Sequence, residues 1–223
     1  MPVSERPLYL AIEGPIGVGK TTLVQRLTER LNGRVVLEVV EENPFLADFY
    51  RDRDRYAFQT QLFFLMSRFK QQQELLQADL FRPNIIADYH LLKDRIFAQL
   101  TLRDHELALY ERVYRSLENQ VLKPDVLIYL HAPLSVLLER IKRRGRSFER
   151  DFDAEYLSSL CRAYQLFFAH YDNTPLLSLD NSSLNYADDT MESKEVMDHI
   201  FSQILELAGN EPAAAPPVHE VGL

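Results

Sequence analysis

Short apolar runs alternate along the chain with longer stretches in which apolar residues return every three or four positions. Leu8–Ile12 is a run of the strand type, and Leu23, Val24, Leu27 and Leu31 then recur at helical spacing. The same two patterns trade places to the end of the chain. They predict a strand at 8–12, a helix at 20–31, a strand at 34–40, a helical region at 55–80 and a strand at 84–88. Helices at 91–102 and 105–122, a strand at 126–130, helices at 133–144 and 153–170, a strand at 176–179 and a helix at 191–208 complete the series. Strands regularly separated by helices imply an α/β fold of three layers, a five-stranded parallel sheet with helices on both faces. Ligands in such sheets lie beyond the carboxyl ends of the strands, which directs attention to Glu38, Asp88 and His131. With no internal repeat and no interior linker, residues 1–208 read as one domain, and the Pro- and Ala-rich tail 209–223 is expected to be disordered.

The strand-to-helix junction at 12–20 carries the most specific chemistry. Gly14, Pro15, Ile16, Gly17, Val18, Gly19, Lys20, Thr21 and Thr22 meet the phosphate-loop pattern of Gly, four residues, Gly-Lys-Thr, between a strand and a helix as that motif requires. Glycines let successive N–H groups turn inward, so the loop and the positive end of the following helix can hold phosphates. Lys20 would reach the β- and γ-phosphates of a nucleoside triphosphate, and the Thr21 hydroxyl would join the shell of a Mg²⁺ ion.

Composition narrows the partners. The 223 residues are 46% hydrophobic, enough for one sizeable core, and the net charge of −8 argues against a general nucleic-acid binder. The absence of an 18-residue apolar stretch and of a leader-like N-terminus leads to the expectation of a cytoplasmic protein with no membrane contact. Cys161 is the only cysteine, which excludes intrachain disulfides.

A phosphate loop alone leaves a switch, a motor, a transporter subunit or a kinase open. Four further segments resemble the deoxyribonucleoside kinases, the family of deoxycytidine, deoxyguanosine and deoxyadenosine kinases, between about Tyr9 and Tyr171. They are Glu38-Val-Val-Glu-Glu-Asn-Pro-Phe-Leu46, Tyr50 through Arg68, Asp88-Tyr89-His90 followed by Lys93-Asp94-Arg95, and the basic run Arg140 through Arg150. The resemblance implies ATP as phosphate donor, Mg²⁺, a homodimer, and transfer of a phosphoryl group to the 5′-hydroxyl of a deoxyribonucleoside. It places the catalytic carboxylate at Glu38, with Glu41 as the fallback. Tyr50 and Glu149 would hold the 3′-hydroxyl, and Gln61, with Gln59 as its rival, would read the base edge together with Arg68 and Asp94.

By the same resemblance Asp88 joins Thr21 at the metal, and Arg140, Arg144 and Arg146 form a lid at about 140–150 that meets the charge of the transferred group. Outside that context Arg68 and Asp94 read more readily as a structural ion pair. Tyr89 departs from the pattern by standing where the family carries an arginine, so either another cation, Lys93 or a lid arginine, takes that place or catalysis is weaker. Purine deoxynucleosides are the favoured acceptors, with deoxycytidine next. Two alternatives remain at this level: a thymidylate kinase, which acts on a monophosphate, and a catalytically silent nucleotide-binding subunit of a kinase pair.

Overall fold

A computed structural model describes residues 6–40, 42–77, 84–146 and 153–209. Five parallel strands, β1 (Tyr9–Glu13), β2 (Arg34–Val36), β3 (Ile85–Ala87), β4 (Val126–His131) and β5 (Leu176–Asp180), form one sheet in the order β2-β3-β1-β4-β5. β1 occupies the centre and is buried at all five positions, which is why its sequence is an unbroken apolar run up to Glu13.

Alternation along β1 divides the core. Leu8, Leu10 and Ile12 pack with Leu23 and Leu27 of helix α1 (Lys20–Leu31) and with Ile200 and Ile204 of the last helix, α8 (Met191–Gly209). Tyr9 and Ala11 point the other way, into a cluster with Val36, Ala87, Tyr89 and Leu75. Helices therefore cover both faces, and the three-layer α/β arrangement expected from the sequence is the one observed. Between β2 and β3 lie a short α2 (Leu46–Arg51) and a 25-residue α3 (Arg53–Gln77). After β3 come α4 (Leu92–Thr101), α5 (Asp104–Leu117) and a single 3₁₀ turn at Glu118–Gln120. β4 is followed by α6 (Leu134–Arg144) and α7 (Ala154–Phe168). The side chain of Asp153 caps α7 by accepting from Glu155 N and Tyr156 N.

Three elements depart from the sequence expectation by more than two residues at an end. The second strand stops at Val36 rather than 40, because its one partner β3 is itself only three residues long and pairs Arg34 with Ile85 and Val36 with Ala87. The helical region begins earlier and in two pieces, a six-residue α2 being too short to show a period. Helix 105–122 ends at Leu117, and its last residues tighten into the 3₁₀ turn. The tail 210–223 and Glu149 of the anticipated lid lie outside the described residues. Among the described residues no helix is long and apolar enough to cross a membrane.

The turn out of β1 depends on backbone that only glycine adopts easily. Gly14 has φ +149°, and a Cβ there would lie 2.3 Å from the carbonyl oxygen of Leu130 on the neighbouring strand. Gly19, with φ +100°, passes so close to the Asn181 side chain that a Cβ would meet it at 2.9 Å. The loop is thus pressed against β4 and the segment after β5, and α1 starts with its N-terminus facing the carboxyl edge of the sheet.

Candidate active site

At that edge lies a cavity of about 610 Å³. The phosphate-loop residues Ile16, Gly17, Gly19, Lys20, Thr21 and Thr22 line it together with Val40, Phe49, Tyr50, Gln61 and Phe64 and with Glu38, Asp88, Lys93 and Arg68. Arg140, Arg143, Arg144 and Arg146 also line the cavity. Residues spread over more than 120 positions of sequence converge because every strand delivers its carboxyl end to the same edge.

Lys20 donates to the carbonyl oxygens of Gly14 at 2.8 Å and Pro15 at 3.2 Å, which lays its ammonium across the loop. Burial, followed by the nearby charge of Lys93, lowers its pKa to about 8. Val18 is fully buried, and its carbonyl is the loop's anchor. It accepts from Asn181 Nδ2 at 2.5 Å and from Arg140 at 3.2 Å, while Arg140 also donates to Asn181 O at 2.9 Å. Arg140 therefore ties the phosphate loop to the segment after β5 from the cavity wall.

Asp88 follows β3 and organises two neighbours. Its Oδ1 accepts the Glu38 backbone N–H at 2.7 Å, and its Oδ2 accepts the Thr21 hydroxyl at 3.3 Å. Burial raises its pKa. The first contact fixes where the chain goes after β2 ends, and so places Glu38. The second sets a carboxylate oxygen and a hydroxyl side by side at the start of α1, a pair of hard oxygen donors that suits Mg²⁺.

The Glu38 carboxylate is held on both oxygens. Arg68 bonds Oε1, and Lys93 donates to Oε2 at 2.5 Å. Burial alone would raise the Glu38 pKa, but these two cations hold it far below the usual carboxylate range. Arg68 comes from α3, seven residues or two helical turns after Gln61, so both sit on the face toward the cavity. Its other nitrogen bonds Asp94. Asp94 is fully buried and does not line the cavity: it reaches the site only through Arg68. Burial pushes Asp94 up to about 7 against the pull of that arginine. Gln61 is 98% buried, and among the described residues its amide has no protein partner, so its hydrogen-bonding capacity faces the cavity.

Tyr89 does not line the cavity. It is fully buried in the cluster with Tyr9 and Leu75, and its hydroxyl donates to Gln71 Oε1 at 2.5 Å. Lys93, not a lid arginine, is the cation found on Glu38 beside Arg68.

Sequence reasoning missed several participants. Glu13, the last residue of β1, is wholly buried and accepts the His90 N–H at 2.6 Å and the Tyr164 hydroxyl at 3.4 Å. Burial raises its pKa against the pull of Lys93. His90 is lowered to about 4 by burial and stays neutral. With Nδ1 accepting from Leu92 N and Nε2 donating to Leu122 O, it latches the turn that presents Lys93. A charged residue closing an apolar strand was the one visible signal for Glu13. For Asn181, Tyr186 and Tyr156, which also line the cavity, none was available.

The family model for deoxynucleoside kinases matches residues 10–206. The chain is 35% identical over 202 residues to the deoxyguanosine kinase of Bacillus subtilis (strain 168), covering 88% of this chain and 98% of the relative. It is 32% identical over 203 residues to the deoxyadenosine/deoxycytidine kinase of the same organism, covering 87% and 92%. Among solved structures, a deoxyadenosine kinase from M. mycoides with bound dCTP superposes with a TM-score of 0.74 at 28% identity, over 87% of this chain and 100% of that one.

Proposed function

The chain belongs to the deoxynucleoside kinase family, and from that premise we propose that its cavity transfers the γ-phosphoryl group of ATP to the 5′-hydroxyl of a deoxyribonucleoside. The observation that carries this reading is the placement of Glu38. It lines one cavity with the phosphate loop and Gln61, linked to Thr21 through Asp88 and to α3 through Arg68, with both oxygens held by cations.

In the proposed reaction the loop N–H groups and Lys20 hold the donor phosphates, and Glu38 receives the hydrogen bond of the acceptor hydroxyl. The 5′ oxygen bonds to the γ-phosphorus as the bond to the bridging oxygen breaks, and the hydroxyl proton passes to Glu38. A carboxylate held so acidic is a weak base. Glu38 therefore works chiefly by orienting the hydroxyl in line, and takes the proton only once the new bond has made it acidic. Thr21 and Asp88 would hold Mg²⁺, which when bound neutralises charge on the β- and γ-phosphates. Arg144 and Arg146 would face the transferred group, with Arg140 bracing the loop from which that group is supplied.

Gln61 would make a two-point contact with the base, its amide supplying donor and acceptor. Arg68, braced by Asp94, would form part of the wall against which the base lies, and Tyr50 and Glu149 would hold the 3′-hydroxyl. Purine deoxynucleosides are the preferred acceptors in this reading, with deoxycytidine next, in keeping with the named activities of the relatives. The reading also takes residues 1–208 as one domain, a cytoplasmic setting, and a homodimer, to which the exposed Met66 of α3 and Leu109 of α5 offer apolar surface.

The test is initial-rate phosphorylation by Mg·ATP of deoxyadenosine, deoxyguanosine, deoxycytidine, thymidine and thymidine monophosphate. Conversion of one or more nucleosides to the 5′-monophosphate, with a purine fastest, is expected. Turnover of the monophosphate alone, or of none of the five, would overturn the proposal.

A further inference from the structure

Lys93 sits in the first turn of α4, is only 6% exposed and spends one N–H on Glu38 Oε2. A buried ammonium is costly unless its N–H groups are met, and this one has three of them. Among the described residues the other two take no protein acceptor, although the lysine lines the cavity. Its chain neighbour Asp94 is by contrast sealed behind Arg68 and does not reach the cavity.

The field of Lys93 also extends beyond Glu38. After burial it is the largest influence on Lys20, the phosphate-loop lysine that lines the same cavity. Two ammonium groups repel each other across a shared space, and an anion lying between them converts that repulsion into attraction on both sides. Tyr89, in the same strand-to-helix connection, supplies no charge, since its side chain is buried in the cluster with Tyr9 and Leu75 and bonded to Gln71.

Resting on the kinase reading given above, we propose that Lys93 is a catalytic residue that bonds the transferred phosphoryl group while it holds Glu38. It joins the acceptor carboxylate to the group under attack, with one N–H on Glu38 and the remaining two free for γ-phosphoryl oxygens. The lysine keeps its proton throughout: the hydroxyl proton goes to Glu38, and the bridging oxygen leaves with the electron pair on the diphosphate. Because the charge on the phosphoryl oxygens is shared differently in the transition state, a cation fixed there acts on kcat more than on acceptor binding.

The experiment compares wild type, Lys93→Met and Lys93→Arg. Arg68 remains on Glu38 in both variants, so the carboxylate keeps a partner. For the best deoxynucleoside, kcat of Lys93→Met should fall about 100- to 1,000-fold, with the acceptor KM within about threefold of wild type, and Lys93→Arg should recover at least about tenfold of the loss. Equilibrium binding supplies a readout independent of turnover. The wild type's preference for the imido analogue of ATP over ADP, which differ by the γ-phosphoryl group, should shrink at least about fivefold in Lys93→Met. A kcat within about fivefold of wild type, or an unchanged preference for the analogue over ADP, would overturn the assignment and leave Lys93 a counter-ion of Glu38. Failure of the wild type on every nucleoside would instead overturn the kinase reading, and the analogue comparison would still decide the role of Lys93.

Discussion

Replacing Arg68 with Met removes the one group that holds both Asp94 and Glu38, and the structure gives its cost in two parts. The first concerns Glu38, whose pKa is depressed in the folded protein by Arg68 and Lys93. A depressed carboxylate adds stability above its unfolded pKa, so at any pH above about 5 the variant loses the share due to Arg68, a constant deficit. The second concerns Asp94, already pushed up to about 7 with Arg68 in place. Without the arginine a wholly buried Asp94 stays protonated well beyond that value.

A raised carboxylate pKa gives stability that is present at low pH and lost as pH rises through the folded value. The two proteins pay the same up to pH 7. Above it the wild type ionises Asp94 against Arg68 and levels off, while the variant goes on losing about 1.4 kcal/mol per pH unit. Breaking a buried pair of this kind costs about 3–5 kcal/mol in total, and the deficit at pH 8.5 should exceed that at pH 6 by about 2 kcal/mol. Urea unfolding of the ligand-free protein at the two pH values measures this, and in Arg68→Met/Asp94→Asn the pH-dependent part should vanish. A deficit below about 1 kcal/mol at pH 8.5, or one that does not change with pH, would refute the claim that Arg68 neutralises a buried carboxylate.

Two further outcomes follow from the same wall of charges. Lys20, lowered to about 8 in the free protein, must be protonated to hold phosphates, so log affinity for Mg·ATP should be flat below pH 8 and then fall toward one unit per pH unit; titration calorimetry from pH 6.5 to 9.5 in wild type and a flat Lys20→Met would show it. Tyr89→Phe removes the hydroxyl donated to Gln71 and should cost about 1 kcal/mol of unfolding free energy while kcat stays within about twofold, whereas a large loss of kcat would give Tyr89 a part in the chemistry.

What the sequence made legible was whatever is written locally. The phosphate loop is a contiguous run whose glycines answer to backbone conformations within the run itself, and Gly14 and Gly19 have the positive φ the motif requires. The sheet was legible because buried parallel strands are plain apolar runs, as β1 and β4 are. The carboxyl ends of the second and third strands pointed to Glu38 and Asp88, and the family resemblance gave them their roles. The contacts that make the site work are not local. Asp88 holds the Glu38 backbone from 50 residues away, Glu13 meets His90 across 77, and Asn181 meets Val18 across 163. The short α2 escaped because six residues show no period, and its only local signal was the Asn43 side chain, which accepts the Phe45 N–H at 3.0 Å and turns the chain into the helix. Arg68 and Asp94 were visible as a charged pair, but the sharing of Arg68 with Glu38 depends on how α3 lies over the end of β2.

The central claim is that Glu38 faces the acceptor hydroxyl, and the most direct measurement is the turnover of Glu38→Gln with Mg·ATP and the best deoxynucleoside, read beside its affinity for Mg·ADP. Glutamine keeps the shape and can still occupy the space between Arg68 and Lys93, but it cannot take the proton. The variant's kcat should lie about 100- to 10,000-fold below wild type with Mg·ADP affinity within about threefold. A kcat within about tenfold of wild type would contradict it, and would move the acceptor's hydroxyl away from Glu38.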